Sequence, residues 1–137
     1  MQGMDSYAET LLRHYLIAAL WSSTDDKGNP LDEKYSPEDF SEDALEVMKD
    51  QCGTFSNVHY NTFLTSEITA EQAGHDFWLT RNGHGAGFWD RGLGHAGDFL
   101  TEQCKKWGEV DIYVGDDGKL YVHTAPCGHV KCGKRKS

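Results

Sequence analysis

A glycine-rich stretch between two aromatic pairs places the tightest limit on how this chain can fold. The segment HDFWLTRNGHGAGFWDRGLG occupies residues 75–94. Its DFWLTR part puts Phe77 and Leu79 on one face and Trp78 on the other, which is the period-two pattern of a strand. The NGHGAG run tolerates positive φ and predicts a tight turn, after which GFWDR resumes the extended pattern. The sequence therefore predicts a hairpin whose neighbouring strands carry the two Phe-Trp pairs.

Apolar side chains at three-to-four-residue spacing predict helices on both sides of this hairpin. A first helix is expected from about Tyr7 to Trp21, and a second helix is expected to begin at Ser36-Pro37. Gly53 is expected to end or bend the second helix, and a further short helix is expected over 55–64. After the hairpin, the spacing of apolar residues predicts another helix over 96–107.

Two further local signals complete the predicted fold. Thr69 and Gln72 have the spacing of a capping box, which predicts about one helical turn before Gly74. Apolar residues alternate over 110–122 around an Asp117-Gly118 turn, which predicts a second hairpin. The expected fold class is α+β, with N-terminal helices packed on a mainly antiparallel four-stranded sheet in the order helices, hairpin, helix, hairpin.

Length and the apolar pattern limit the organisation of the chain. With 137 residues, we expect a single α+β domain over 1–125 and a short, flexible basic tail over 126–137. The first apolar run, LLRHYLIAALW, is too short for a membrane span. The N-terminus lacks the basic-then-apolar order of a secretory signal, so we expect a cytoplasmic protein with reduced cysteines.

Charge is the strongest compositional guide to function. The formal net charge is −9, and residues 24–50 hold ten acids against three lysines. This excess opposes direct nucleic-acid binding and favours basic partners. One interpretation is a solvated helix face; another is a carboxylate surface that imitates the phosphate backbone and attracts a nucleic-acid-binding protein. The candidate acidic binding residues are Asp39, Glu42, Asp43 and Glu46.

The glycine-rich stretch offers candidate sites of two other kinds. If its phenylalanines face the core, its tryptophans and arginines can form an exposed interface; these binding candidates are Trp78, Arg81, His84, Trp89 and Arg91. Alternatively, histidine, aspartate and arginine side chains converge as acid/base groups or around a nucleotide; these candidates are His75, His84, Asp90 and Arg91. The histidines and aspartates are also possible metal ligands or acid/base groups; this set is His75, Asp76, His84, Asp90 and His95. The structural alternative is a tight loop with a cross-strand ion pair between Asp90 and an arginine.

The cysteines suggest three separate hypotheses. Zinc takes cysteine and histidine ligands, so the tail could hold a zinc ion, although its spacing matches no common zinc motif; the ligand candidates are His123, Cys127, His129 and Cys132. Cys104 lies on the apolar face of a predicted helix, which favours a core position. Cys52 and His59 could form a nucleophile and base, but closeness in sequence gives no geometry. Without such a zinc ion, no cofactor is predicted.

The motifs AGHDFWLTRNGHGAGFWDRGLG and LTEQCKKWGEVDIYVGDDGKLYV together resemble a widespread group of small proteins encoded by bacteriophages and other mobile elements. The likeness covers about residues 72–122 and is less typical in the N-terminal helices and the tail. The resemblance implies a genomic context and no catalytic residues. Small acidic accessory proteins of phages often bind host or defence proteins, including as inhibitors that mimic nucleic acid.

Two functions from different classes therefore stand as hypotheses, with a zinc-stabilised structural module as a third possibility. The first is a non-enzymatic phage-type accessory protein that binds and inhibits a host or defence-system protein through its acidic segment and Trp/Arg surface. The second is a small enzyme or nucleotide-binding protein that uses the His/Asp/Arg-rich glycine loop. A pocket in which the latter side chains converge would favour the second hypothesis.

Overall fold

The computed structural model of the protein describes residues 4–25, 27–83, 87–88 and 92–124. Most of them belong to α-helices and to one small sheet. In chain order the elements are α1 (Met4–Ser22), α2 (Glu42–Thr65), α3 (Ala70–Arg81), α4 (His95–Trp107), β1 (Val110–Val114) and β2 (Leu120–Thr124). The connection between α1 and α2 contains two short 3-10 helices, Leu31–Glu33 and Pro37–Asp39.

Side-chain caps fix the starts of α2 and α3. The Ser41 hydroxyl accepts a hydrogen bond from the backbone N–H of Ala44 at 3.1 Å. The Thr69 hydroxyl accepts one from the backbone N–H of Gln72, also at 3.1 Å. Each contact satisfies an N–H group that has no partner within its own helix. The predicted start at Thr69 is confirmed, but α3 continues past Gly74 for two further turns.

α2 is one long helix where the sequence predicts two shorter ones. The Ser36-Pro37 motif forms a 3-10 turn with its own capping box, and α2 begins only at Glu42. The helix also passes through Gly53 without ending there. A glycine inside a helix costs about 1 kcal/mol relative to alanine. Burial of Met48 before it and Phe55 after it offsets that cost.

α3 takes the place of the first strand of the predicted central hairpin. Phe77 to Arg81 are helical, so the strand prediction for DFWLTR is wrong. Consecutive apolar residues suit either a strand or a helix that is buried on all sides, and periodicity alone does not separate the two. Every side chain from Asp76 to Arg81 is buried. Residues 89–91 of the second predicted strand lie outside the described residues.

The C-terminal hairpin is confirmed. β1 and β2 pair antiparallel, with Val114 opposite Leu120, and Gly118 supplies the positive φ of the turn. The backbone N–H of Ser41 donates to the carbonyl of Leu120 at 2.8 Å, which attaches the hairpin to the start of α2. The described residues thus form an α+β fold with a two-stranded sheet rather than the four-stranded sheet expected.

The core is built around α1, which packs on α2. Its most extensive contact is with α3. Gly74 lets the two helices approach closely, because a Cβ atom at this position would overlap the carbonyl oxygen of Leu11. Phe77 stacks on Phe55 of α2 with ring centroids 3.8 Å apart. Phe77 also contacts Tyr15 of α1, with the ring centroids 5.2 Å apart. α1 is therefore the helix on which α2 and α3 converge, and Phe77 links all three through its ring contacts.

Candidate functional site

Arg81, predicted to lie on an exposed binding surface, is instead in the interior. Its side chain is 3% exposed. Nη1 donates hydrogen bonds to the Tyr15 hydroxyl at 3.0 Å and to Gln51 Oε1 at 2.7 Å. Nε donates to the carbonyl of Gly108 at 2.8 Å, and Nη2 donates to that of Trp107 at 2.9 Å. These four contacts join α1, α2, α3 and the end of α4 through one side chain.

The guanidinium also compensates the C-terminus of α4, where backbone carbonyls have no helical partners. It lies 5.2 Å from the ring centroid of Phe77 and 5.7 Å from that of Trp107. Contacts of this kind stabilise a cation that is removed from water. Arg81 therefore acts as an internal crosslink, and the prediction of an exposed arginine anchor at this position is wrong.

Trp78 is likewise part of the core. It is 2% exposed, and its indole Nε1 donates to the Ser22 hydroxyl at 2.7 Å. The ring meets Tyr15 edge-on, with centroids 5.3 Å apart. Because α3 is a helix with neighbours on all sides, Phe77 and Trp78 are both buried instead of lying on opposite faces of a strand. The expected exposure of Trp78 is wrong for this reason.

The end of α3 anchors the segments that follow it. The Thr80 hydroxyl accepts a hydrogen bond from the backbone N–H of Phe88 at 3.2 Å. Asn82 Oδ1 accepts one from the backbone N–H of Val110 at 2.8 Å. Gly87 has a φ of +155°, and a Cβ atom there would overlap the Thr80 hydroxyl. Thr80, Asn82 and Gly87 thus serve to fix backbone positions.

Of the predicted acid/base group, the structure describes His75 alone. His75 Nδ1 lies 3.6 Å from Oδ1 of Asp76, whose side chain is fully buried. The His75 side chain is 39% exposed, and its ring centroid is 5.8 Å from that of the exposed Trp21. His84, Asp90 and Arg91, with Trp89 of the binding set, lie outside the described residues.

Metal ligation finds no support among the described residues. No group of three or more histidine, cysteine, aspartate or glutamate side chains within them could hold a metal ion. His95 is exposed at the start of α4, and His123 is exposed on β2. The other three predicted zinc ligands, Cys127, His129 and Cys132, fall outside the described part of the chain.

The described cysteines are core residues. Cys52 and Cys104 are fully buried, as predicted for Cys104. Burial raises the pKa of both thiols, although the nearby Arg81 opposes this shift. A raised pKa keeps the thiol protonated and poorly nucleophilic. His59 is also buried, and burial lowers its pKa. These environments do not suit the hypothetical Cys52–His59 nucleophile.

The acidic candidates occupy a different environment from the α3 motif. Glu42, Asp43 and Glu46 are exposed in the first half of α2, and Asp50 continues the same exposed surface. The four carboxylates Glu42, Asp43, Glu46 and Asp50 are hereafter the α2 acidic face. Among the described residues, the ion pairs are His75–Asp76 and Lys105–Glu102, so the α2 acidic face takes part in none.

Asp39 differs from the other acidic candidates because its carboxylate is already used. Oδ2 accepts a hydrogen bond from the backbone N–H of Ser36 at 2.8 Å, which closes the 3-10 turn before α2. Asp50 was absent from the predicted set, although it lies seven residues after Asp43 and shares its helix face. Helical spacing alone identifies Asp50, because it precedes Gly53 and so lies within the second helix as predicted from the sequence.

No protein-family model matches the chain, and no curated protein or solved structure is significantly similar to it. Within the described segments, no helix combines the length and apolarity that crossing a membrane requires.

Proposed function

We propose that the protein is a phage-type accessory protein that binds a basic, nucleic-acid-binding protein of the host or its defence systems. The α2 acidic face makes the contact and occupies the partner's nucleic-acid groove. The observation that carries the proposal is the exposure of these four carboxylates without an ion pair among the described residues. Charged groups of this kind attract an oppositely charged partner and set its orientation.

The charge density of the α2 acidic face supports mimicry of a nucleic-acid strand. Residues 42 and 50 are separated by about 12 Å along the helix axis, because an α-helix rises about 1.5 Å per residue. Four carboxylates over that length approach the density of one B-DNA strand, which carries one charge per about 3.4 Å. Lys49 is also exposed there and reduces the net charge to −3.

The helix dipole explains only part of this arrangement. Acidic residues in the first turn stabilise a helix N-terminus, which accounts for Glu42 and Asp43. The effect fades beyond the first turn, so it does not account for Glu46 and Asp50. Their placement on an exposed face is the feature that a basic partner explains.

The test is affinity capture from a nuclease-treated bacterial lysate with three forms of the protein. The first is the wild type, and the second carries Glu42→Gln, Asp43→Asn, Glu46→Gln and Asp50→Asn. The third is a control with the same change in net charge on α4 and the hairpin, made by Asp98→Asn, Glu102→Gln, Asp111→Asn and Asp116→Asn. All of these acids are exposed.

We expect the wild type and the control to retain the same basic protein, which salt or duplex DNA releases. The α2 variant should retain at least tenfold less, because several charge pairs are lost. Equal retention by the two variants would show that overall charge, and not the α2 acidic face, drives binding. Failure of the wild type to retain any basic protein would contradict the proposal directly.

The contact between His75 and Asp76 favours a second candidate, a small enzyme or nucleotide-binding protein. A buried carboxylate beside a half-exposed imidazole is an arrangement that can position the ring for proton transfer. The exposed Trp21 ring beside it offers a surface for stacking a base. Titration with nucleoside mono-, di- and triphosphates, followed by Trp fluorescence, tests this candidate. A response that persists in Trp21→Leu and His75→Gln variants would exclude this location.

A further inference from the structure

A pocket lies where α2 ends and α3 begins, away from the α2 acidic face. Its volume is about 360 Å³. Aromatic rings form its base, and a leucine and two glutamates lie at its exposed edge. The lining residues used below are Tyr7, Tyr60, Phe63, Leu64, Glu67 and Glu71.

Ring contacts and a hydrogen bond hold the aromatic part of the pocket. Tyr7 stacks on Phe63 with ring centroids 5.4 Å apart, and Tyr60 meets Tyr7 edge-on at 5.5 Å. The Tyr7 hydroxyl donates to the carbonyl of Ile68 at 2.7 Å, which fixes the ring against the start of α3. Tyr60 is partly exposed and Leu64 is exposed, so both can contact a ligand.

The electrostatics of the pocket select a cation. Glu67 and Glu71 line it, and no lysine or arginine is among its lining residues. Neither carboxylate forms an ion pair within the described residues. Burial and the nearby Glu71 carboxylate raise the pKa of Tyr7, which shows that the negative field reaches the base of the pocket. A purely apolar ligand would cover these carboxylates without pairing them, at an unfavourable free energy.

We propose that this pocket binds an arginine side chain of the partner protein. The guanidinium lies against the Glu67 and Glu71 carboxylates, and the methylene groups lie on Leu64 and Tyr60. Guanidinium groups pair with carboxylates through two parallel hydrogen bonds and stack on aromatic rings, so arginine fits this lining better than lysine. The proposal rests on the proposed function in that it assigns a second contact to the same basic partner. Leu64 lies about 20 Å along α2 from Asp50, so the two contacts are spatially separate.

The backbone of Glu67 provides a way to separate binding from folding. Its φ is +58°, in the left-handed region, directly after the C-terminal end of α2. Glycine is the usual residue at such a helix end, because it adopts this conformation without strain. Glu67→Gly should therefore raise the midpoint of thermal unfolding by a few degrees while it removes one of the two carboxylates.

The experiment is a ¹H–¹⁵N NMR titration of the whole protein with the peptide acetyl-Gly-Arg-Gly-amide. The matched ligand has citrulline in place of arginine, which keeps the shape and removes the charge. We expect saturable shifts of the amides of residues 60–71, with a Kd in the millimolar range, and at least fivefold weaker binding of the citrulline peptide. Glu71→Gln and Glu67→Gly should each weaken arginine binding severalfold, whereas Glu102→Gln on α4 should leave it unchanged.

Absence of saturable shifts at residues 60–71, or equal affinity for the two peptides, would overturn the arginine pocket. Shifts confined to residues 42–50 would also overturn it, because the peptide would then bind only at the α2 acidic face. The variant that neutralises the α2 acidic face separates the two proposals. If it loses the captured partner but still binds the peptide at residues 60–71, the pocket stands; if it keeps the partner, the proposed function fails independently.

Discussion

α3 and the first half of α2 are both rich in polar residues, but the two helices use them in opposite ways. In α3, Asp76 and Arg81 are buried, and Arg81 is fixed by hydrogen bonds to three other helical regions. On the α2 acidic face, the charged groups are exposed and form no ion pair among the described residues. The distinctive motif thus builds the fold, while the less distinctive acidic run is left exposed to solvent.

We expect the largest loss of stability from Arg81→Met, which tests whether the buried charge of α3 is structural. The change leaves the Tyr15 hydroxyl, Gln51 and two carbonyls of the α4 C-terminus without their donor. Each buried polar group without a partner costs about 1–3 kcal/mol, so the free energy of unfolding should fall by more than about 3 kcal/mol. Urea denaturation measures this loss.

The control for that variant is Arg13→Met on the exposed side of α1. We expect a change within about 0.5 kcal/mol, as is usual for surface substitutions. A loss below about 1 kcal/mol for Arg81→Met would show that the guanidinium is not a structural crosslink, and the contrast between the two helices would disappear.

Glycine substitutions should change stability in opposite directions in the two helices. At Gly74 a methyl group would overlap the Leu11 backbone, so Gly74→Ala should destabilise the fold by about 1–3 kcal/mol. At Gly53 there is no atom within 4 Å of an added Cβ, so Gly53→Ala should stabilise α2 by up to about 1 kcal/mol. Thermal unfolding of both variants provides the measurement. Stability changes of the same sign and size in the two variants would contradict the close contact of α1 and α3.

The pH dependence of stability should show a smaller effect, which arises from the inner side of α2 and not from its acidic face. Burial lowers the pKa of His59, so the unfolded chain binds a proton at a higher pH than the folded chain does. Stability should therefore fall as the pH drops below about 6.5, by less than the 1.4 kcal/mol per pH unit that one proton allows.

His59→Phe should remove this part of the pH dependence. The phenyl ring keeps the aromatic contacts of the buried site, but it does not titrate. His123→Phe, at an exposed position on β2, serves as the control and should leave it in place. Denaturant midpoints measured between pH 5 and pH 7.5 test the pair. An unchanged pH slope in His59→Phe would show that His59 is not buried in its neutral form.

The smallest change in stability is expected from the variant that neutralises the α2 acidic face. Loss of the helix-dipole interactions lowers stability, and relief of the repulsion between the carboxylates raises it. The net change in the free energy of unfolding should therefore stay below about 1 kcal/mol. The same variant should lose partner binding. If it unfolds instead, the α2 acidic face is a structural element like the α3 motif.

Local signals allowed part of this fold to be predicted from the sequence. Apolar spacing predicts α1 and α4. The C-terminal hairpin follows from alternating apolar residues and from turn residues such as Gly118, whose positive φ is required by the turn itself. The Thr69 cap was also predictable, because the hydroxyl satisfies a backbone N–H three residues away. The exposure of the acidic residues agrees with the high free energy of removing unpaired charges from water.

The candidate site was less predictable, because its environment depends on distant parts of the chain. Trp78 and Arg81 have the composition of an interface, and no local signal shows that Ser22 or Tyr15 will supply hydrogen-bond partners for them. The arginine pocket was not predicted because its aromatic and acidic residues come from three separate elements. Asp50 could have been included by helical spacing alone, because it precedes Gly53 and lies within the second helix as predicted.

The sequence by itself determined the charge, the Thr69 cap, α1, α4 and the final hairpin, since each depends on residues within a few positions of one another. Tertiary structure decided that residues 70–81 form a helix and that Arg81 is internal. The sequence pattern could not decide these points, because a helix that is buried on all sides shows no amphipathic period. Its conformation is then fixed by packing against α1 and by hydrogen bonds from Arg81 to residues 66, 30 and 27 positions away.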